Sequence, residues 1–231
     1  MVLLTVNYKG KYCSQSPQFF SARYKLAITT VFVLELLAIT IVFLITSTTV
    51  LGWRNIVRGL TGAALGLQHL HQQELICRNF KTENILVDED FNGVLTDFGS
   101  VGPEIQGIGQ FTPGYIDLHS FTTGLTQKHH DIYSLGIVLL QVITQSDSVT
   151  NTNGSNLTIR PWLSKNKRTV RAVDKRLTVR LTSGDYCKKE DNLAITKLAM
   201  RCVHDEIDKR PDINEVVREL QKLNMDTGST S

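Results

Sequence analysis

The sequence predicts a mainly α-helical domain with one small β-hairpin, preceded by a separate apolar helix of membrane type. Three observations predict it. Apolar residues at three- and four-residue spacing begin at Trp53 and recur in later segments, the signature of amphipathic helices. Two short β-type runs, Ile85–Val87 and Val94–Thr96, flank the turn-rich string DEDFNG. Upstream, Leu26–Thr46 is a run of 21 residues with a single charge, Glu35.

Composition sets the frame. The chain has 231 residues, is 42% hydrophobic and carries a formal net charge of +3. So small a charge is no footprint for nucleic acid, and no nucleic-acid partner is expected. Cys13, Cys77, Cys187 and Cys202 form no C-x-x-C pair, so they read as free thiols of a reducing compartment.

Residues 1–25 form a basic N-terminal segment with Lys9, Lys11, Arg23 and Lys25 and no acid. Residues 26–46 are long enough to cross a bilayer. Their 14 Leu, Ile, Val and Phe residues contribute roughly −4 to −8 kcal/mol to insertion, against about +3 for the central acid. The alternatives are a buried core helix or a mis-joined piece of coding sequence. Arg54 and Arg58 follow the span. The balance of basic residues mildly favours a cytoplasmic N-terminus, and the sequons at Asn153 and Asn156 would then be meaningful. The expected placement is nevertheless a single-pass membrane protein with its main domain in the cytosol.

Within that domain, WRNIVRGLTGAALGLQHLHQQ is an amphipathic helix that places Ile56, Leu60, Ala63, Ala64, Leu67 and Leu70 on one face. The hairpin follows, then a loop rich in Gly and Pro from Gly99 to Gly114. DIYSLGIVLLQVITQ is apolar almost all round, as a central buried helix is. Residues 146–187 are polar and irregular, with one short helix expected near Pro161 to Lys165. NLAITKLAMRCV and INEVVRELQKL are two more amphipathic helices, with Asp212 placed to cap the last. The tail 224–231 is expected to be disordered.

The chemistry gathers between the first helix and the hairpin. Asn84 and Asp97 are an oxygen pair flanking the hairpin, the ligand type that Mg²⁺ takes, and Lys81 is a candidate phosphate partner. On their own, such residues more often satisfy local backbone donors. The ordered set says more. CRNFKTEN followed by LTDFG resembles the protein-kinase catalytic loop H-R-D-x-K-x-x-N followed by D-F-G. Arg78, Lys81, Asn84, Asp97, Phe98 and Gly99 match it. TPGYIDLH resembles the end of the activation segment, DIYSLGIVLLQVIT the central helix of the family's C-terminal lobe, and KRPDINEVVREL its last helix. The resemblance covers residues 53–223 in order and is strongest to plant receptor-like Ser/Thr kinases.

The resemblance implies a protein-kinase C-terminal lobe. It implies Mg-ATP as cofactor, with Asn84 and Asp97 at the metal, Lys81 at the phosphate, and Arg78 and position 79 in the catalytic loop. Residues 1–52 contain no G-x-G-x-x-G and no V-A-I-K-like string, so the family's N-terminal lobe is expected to be absent and nucleotide binding weak or missing. Asn79 stands where the family has the aspartate that accepts the substrate's proton, and an amide has no useful basicity. Cys77 stands for the family's histidine, Leu118 for a proline, and His119 for the glutamate that pairs with the arginine seen here as Arg210, which leaves Arg210 unpaired or re-routed. Asp131 is retained, which implies a structural brace on the catalytic loop.

Three functions follow as expectations. The first is a catalytically inactive, membrane-tethered binding module whose partners are proteins, other receptor-like kinases among them. The second is an active Ser/Thr kinase. The third is a truncated kinase gene product.

Overall fold

The computed structural model describes residues 52–106, 112–144, 149–152, 155–158 and 185–226. The expected basic segment 1–25, the apolar run 26–46 and the short helix near Pro161 lie outside the described residues.

Helix α1 spans Trp53–Gln72, which is about 30 Å of helix. Its apolar stripe buries Ile56, Val57, Leu60, Ala64 and Leu67. The stripe packs on α5, Ile213–Asp226, which buries Val216, Leu220 and Leu223. Asp212 caps α5 by accepting from the Glu215 N–H at 2.7 Å. The helix continues to Asp226. Helix α3, Lys128–Thr144, is buried from His130 to Leu140 and packs on α4, Lys189–Cys202. These four helices share one core with Tyr115, Phe80 and Trp53.

The hairpin sits against α1. Strand β1, Ile85–Val87, pairs antiparallel with β2, Gly93–Leu95, in the register Ile85 to Leu95. A Cβ on Gly93 would lie 1.9 Å from the Gly59 carbonyl oxygen, and one on Gly62 would lie 2.3 Å from the Gly93 oxygen. Only glycine lets helix and strand backbones come that close. This approach fixes the hairpin relative to α1 and so positions the residues at either end of it.

Elements without a strong sequence signal complete the domain. Strand β3, Ile105–Gln106, pairs antiparallel with β4, Leu125–Thr126. Between them lies α2, Leu118–Thr123, capped by Asp117, whose carboxylate accepts from the Ser120 N–H at 2.6 Å. A second hairpin joins β5, Val149–Thr152, to β6, Ser155–Thr158, within the stretch expected to be irregular.

No helix among the described residues is long and apolar enough to cross a membrane. Helix α3, apolar almost all round, has 17 residues, about 25 Å, which falls short of a ~30 Å hydrocarbon core. Its first turn carries Lys128, His129, His130 and Asp131, and its apolar side chains are spent on the protein core. Helix α1 has the length, but it carries Arg54 and Arg58 and is amphipathic.

Candidate functional site

The chain leaves α1 through a turn in which Glu74 takes a positive φ of 55°, and Ile76 then bridges to Gly102. The loop that follows is held from beneath by Asp131 of α3. Asp131 Oδ2 accepts from the Cys77 N–H at 2.7 Å and Oδ1 from the Arg78 N–H at 2.8 Å, while His71 Nε2 lies 2.9 Å from Oδ2. The brace implied for Asp131 is therefore seen as three contacts on one carboxylate, which is 1% exposed. It holds Arg78 at a φ of 64°, a left-handed conformation that costs a non-glycine residue on the order of 1 kcal/mol.

Arg78 turns its guanidinium to the segment after the hairpin. Nη1 donates to the Ser100 carbonyl at 2.9 Å and Nη2 to the Pro103 carbonyl. Lys81, by contrast, makes no side-chain hydrogen bond or ion pair among the described residues. It stays available to an anion.

The structure brings Asn79, Asn84 and Asp97 together. Asn84 is buried at the end of a single 3₁₀ turn, Thr82–Asn84, and donates through Nδ2 to the Asn79 carbonyl at 2.8 Å. Its Nδ2 also lies 3.4 Å from Asp97 Oδ2. Asn79 Nδ2 donates to the same Asp97 oxygen at 2.9 Å, and Asn79 Oδ1 accepts from Thr112 Oγ1 at 2.9 Å. Asp97 itself sits at a φ of 58° and leads into the 3₁₀ turn Phe98–Ser100. Phe98, 53% exposed, lies next to it on the surface. Thr112 was not anticipated as part of this site: it is 33 residues from Asn79 in sequence, and nothing local to it marks the contact.

These residues fit a magnesium ion in donor type. Asn84 Oδ1 and Asp97 Oδ1 accept no hydrogen bond among the described residues, and hard cations take such oxygens. When Mg-ATP is bound in a kinase, the metal neutralises phosphate charge. Here Asn84 and Asp97 would hold it, with Lys81 on the phosphate side.

A second polar cluster lies under the activation-segment end. Arg210 is not left unpaired by the histidine at 119. It is re-routed to Asp117, to which Nη1 donates, and to the carbonyls of His204 at 2.8 Å and His129 at 3.1 Å. Its guanidinium also stacks 5.1 Å from the Tyr133 ring centroid. Burial alone would raise the Asp117 pKa, but the Ser120 N–H and Arg210 override it and hold the carboxyl below its ordinary value.

Asp117, His119 and His130 lie close enough together to suggest a metal site. The hydrogen bonds argue otherwise. His130 Nδ1 accepts from the Gln127 N–H at 2.8 Å, so in the neutral ring Nε2 carries the proton and has no lone pair to offer. Arg210 already occupies Asp117. The cysteines are equally quiet: burial raises the Cys77 thiol, with Asp131 adding to it, and pushes Cys202 up to about 12.

Residues 19–220 match the protein kinase domain family. The chain belongs to the protein kinase family. The chain is 34% identical over 191 residues to "Probable serine/threonine-protein kinase PBL10" of Arabidopsis thaliana, covering 75% of this chain and 44% of that protein. It is 32% identical over 188 residues to "Salt tolerance receptor-like cytoplasmic kinase 1" of Oryza sativa subsp. japonica, covering 75% and 50%. It is 33% identical over 195 residues to "EPD1-interacting receptor-like cytoplasmic serine/threonine-protein kinase 5D" of Gossypium barbadense, covering 78% and 41%. The chain thus spans about half, or less, of the length of these relatives. The matched segment begins at residue 19, so the apolar run 26–46 falls inside it. With relatives named as cytoplasmic kinases, this overturns the expected single-pass membrane protein.

Proposed function

We propose that this kinase-family chain is a catalytically inactive module that acts by binding other proteins, kinases among them. One observation carries the reading: the side chain at the catalytic-base position is an amide with both ends engaged. Asn79 Nδ2 donates to Asp97 and Oδ1 accepts from Thr112, so no basic lone pair faces a substrate hydroxyl. Residues 1–52 hold no G-x-G-x-x-G and no V-A-I-K-like string, the parts that hold ATP phosphates in kinases. In this reading Arg78 and Asp131 keep the loop's architecture, while Lys81, Asn84 and Asp97 are retained parts of a degenerate nucleotide site.

The competing reading is an active Ser/Thr kinase. It is favoured by the names of the relatives and by the two oxygens on Asn84 and Asp97 that accept no hydrogen bond among the described residues. Phosphoryl transfer depends chiefly on positioning and electrostatics, so an amide at 79 would slow the reaction rather than forbid it.

Titrating Mg-ATP into the full chain while following its melting temperature tests the proposal. The expected result is no change beyond ~1 °C at millimolar nucleotide. A rise of several degrees would show a working nucleotide site and favour the competing reading.

A further inference from the structure

We propose that the Asn79 amide takes the place of a cation at Asp97, so that this loop pair is ordered without bound metal. Asp97 Oδ2 receives two amide N–H groups, from Asn79 at 2.9 Å and from Asn84 at 3.4 Å. At its other end Asn79 accepts from Thr112 Oγ1 at 2.9 Å. Its backbone carbonyl accepts from Asn84 Nδ2 at 2.8 Å. One side chain thus ties the catalytic loop, the residue after the hairpin and the activation segment.

The chemistry of the amide makes this possible. It donates at one end and accepts at the other, whereas an ionised carboxylate only accepts. An aspartate at position 79 would set two carboxylates at hydrogen-bond distance. Like charges that close do not both ionise unless a proton or a cation bridges them. The amide supplies the positive end of a dipole where a bridging ion would otherwise sit. Order of the loop and occupancy by metal are on this proposal uncoupled in this chain, and Asn79→Asp is expected to couple them.

The inference concerns how the loop is held and does not rest on the absence of catalysis. A parent protein that transfers phosphate would overturn the proposed function and leave this intact.

The test compares melting of the full-length parent, Asn79→Asp, and the double variant Asn79→Asp/Asp97→Asn, each in EDTA and in millimolar MgCl₂. The parent is expected to melt at the same temperature in both, within ~1 °C. Asn79→Asp is expected to melt roughly 3–8 °C lower in EDTA and to recover in MgCl₂. The double variant reverses donor and acceptor, so it is expected to regain the parent's metal-independent melting. Equal melting of parent and Asn79→Asp in EDTA would overturn the proposal, as would a parent that gains as much from Mg²⁺ as the variant does. If Asn79→Asp does not fold, Asn79→Ala read by hydrogen exchange decides. Amides of residues 97–100 should exchange at least ~10-fold faster than in the parent, with α5 unchanged, and unchanged protection there would overturn it.

Discussion

Arg210 donates to Asp117 at a point where both side chains are almost sealed from water, 2% and 1% exposed. The resemblance implied an acid at position 119 as this arginine's partner; His119 stands there, and the acid that takes Arg210 lies two residues earlier, at Asp117. Asp117 therefore does two jobs: it caps α2 through the Ser120 N–H and neutralises a buried guanidinium.

Removing one partner of a buried pair leaves the other charge uncompensated. Asp117→Ala is expected to lower unfolding stability by about 3–5 kcal/mol, measured by urea denaturation. Loss below ~1 kcal/mol would mean that the His204 and His129 carbonyls suffice for Arg210.

Acid should weaken the same region in two windows. Burial holds His130 below its ordinary value of 6.5, with Asp117 opposing and Arg210 assisting. Burial, then Arg210, lowers His129 in the same way. The unfolded chain takes up these protons first, so stability falls as pH drops through 6.5 and levels once the folded values are passed. Asp117, held below 3.8, adds a second loss at still lower pH, as it protonates in the folded state. Urea midpoints measured from about pH 7.5 to pH 5 should decline, and His130→Gln should flatten the decline. A midpoint that rises on acidification contradicts the sign.

Asp131 is the next test of architecture. Substituting Ala removes the acceptor for the Cys77 and Arg78 N–H groups and strands both near the core. A loss of about 3 kcal/mol is expected, with faster hydrogen exchange at residues 77 and 78 ahead of global unfolding.

The thiols make a simple control. Cys77, Cys187 and Cys202 are buried and free, and burial raises the pKa of each. In the folded protein all three should resist a thiolate-directed reagent and react only after denaturant is added.

Much of the helical frame was legible in the sequence because it is written in local periodicity. The stripe from Ile56 to Leu70 and the apolar run from Ile132 to Leu140 each declare a helix and its buried side. The hairpin was legible for the same reason, with β2 starting at Gly93, one residue earlier than expected. The strands β3 and β4 have two residues each, and Ile105 meets Thr126 across 21 positions, so no local pattern marks them. Strands β5 and β6, VTNT and SNLT, lack apolar alternation. At the candidate site, motif spacing singled out Arg78, Asn79, Lys81, Asn84 and Asp97, of which the structure brings Asn79, Asn84 and Asp97 together. Spacing could not show that Thr112 holds Asn79 or that Asp117 takes Arg210, because both contacts form only when distant segments meet in the fold.

The proposed function turns on the amide at position 79. The direct measurement is phosphoryl transfer from labelled Mg-ATP by the full-length parent, to itself and to a generic protein acceptor, beside Asn79→Asp prepared identically. The parent is expected to give no label above a no-enzyme blank. Label incorporated by the parent would contradict catalytic inactivity outright.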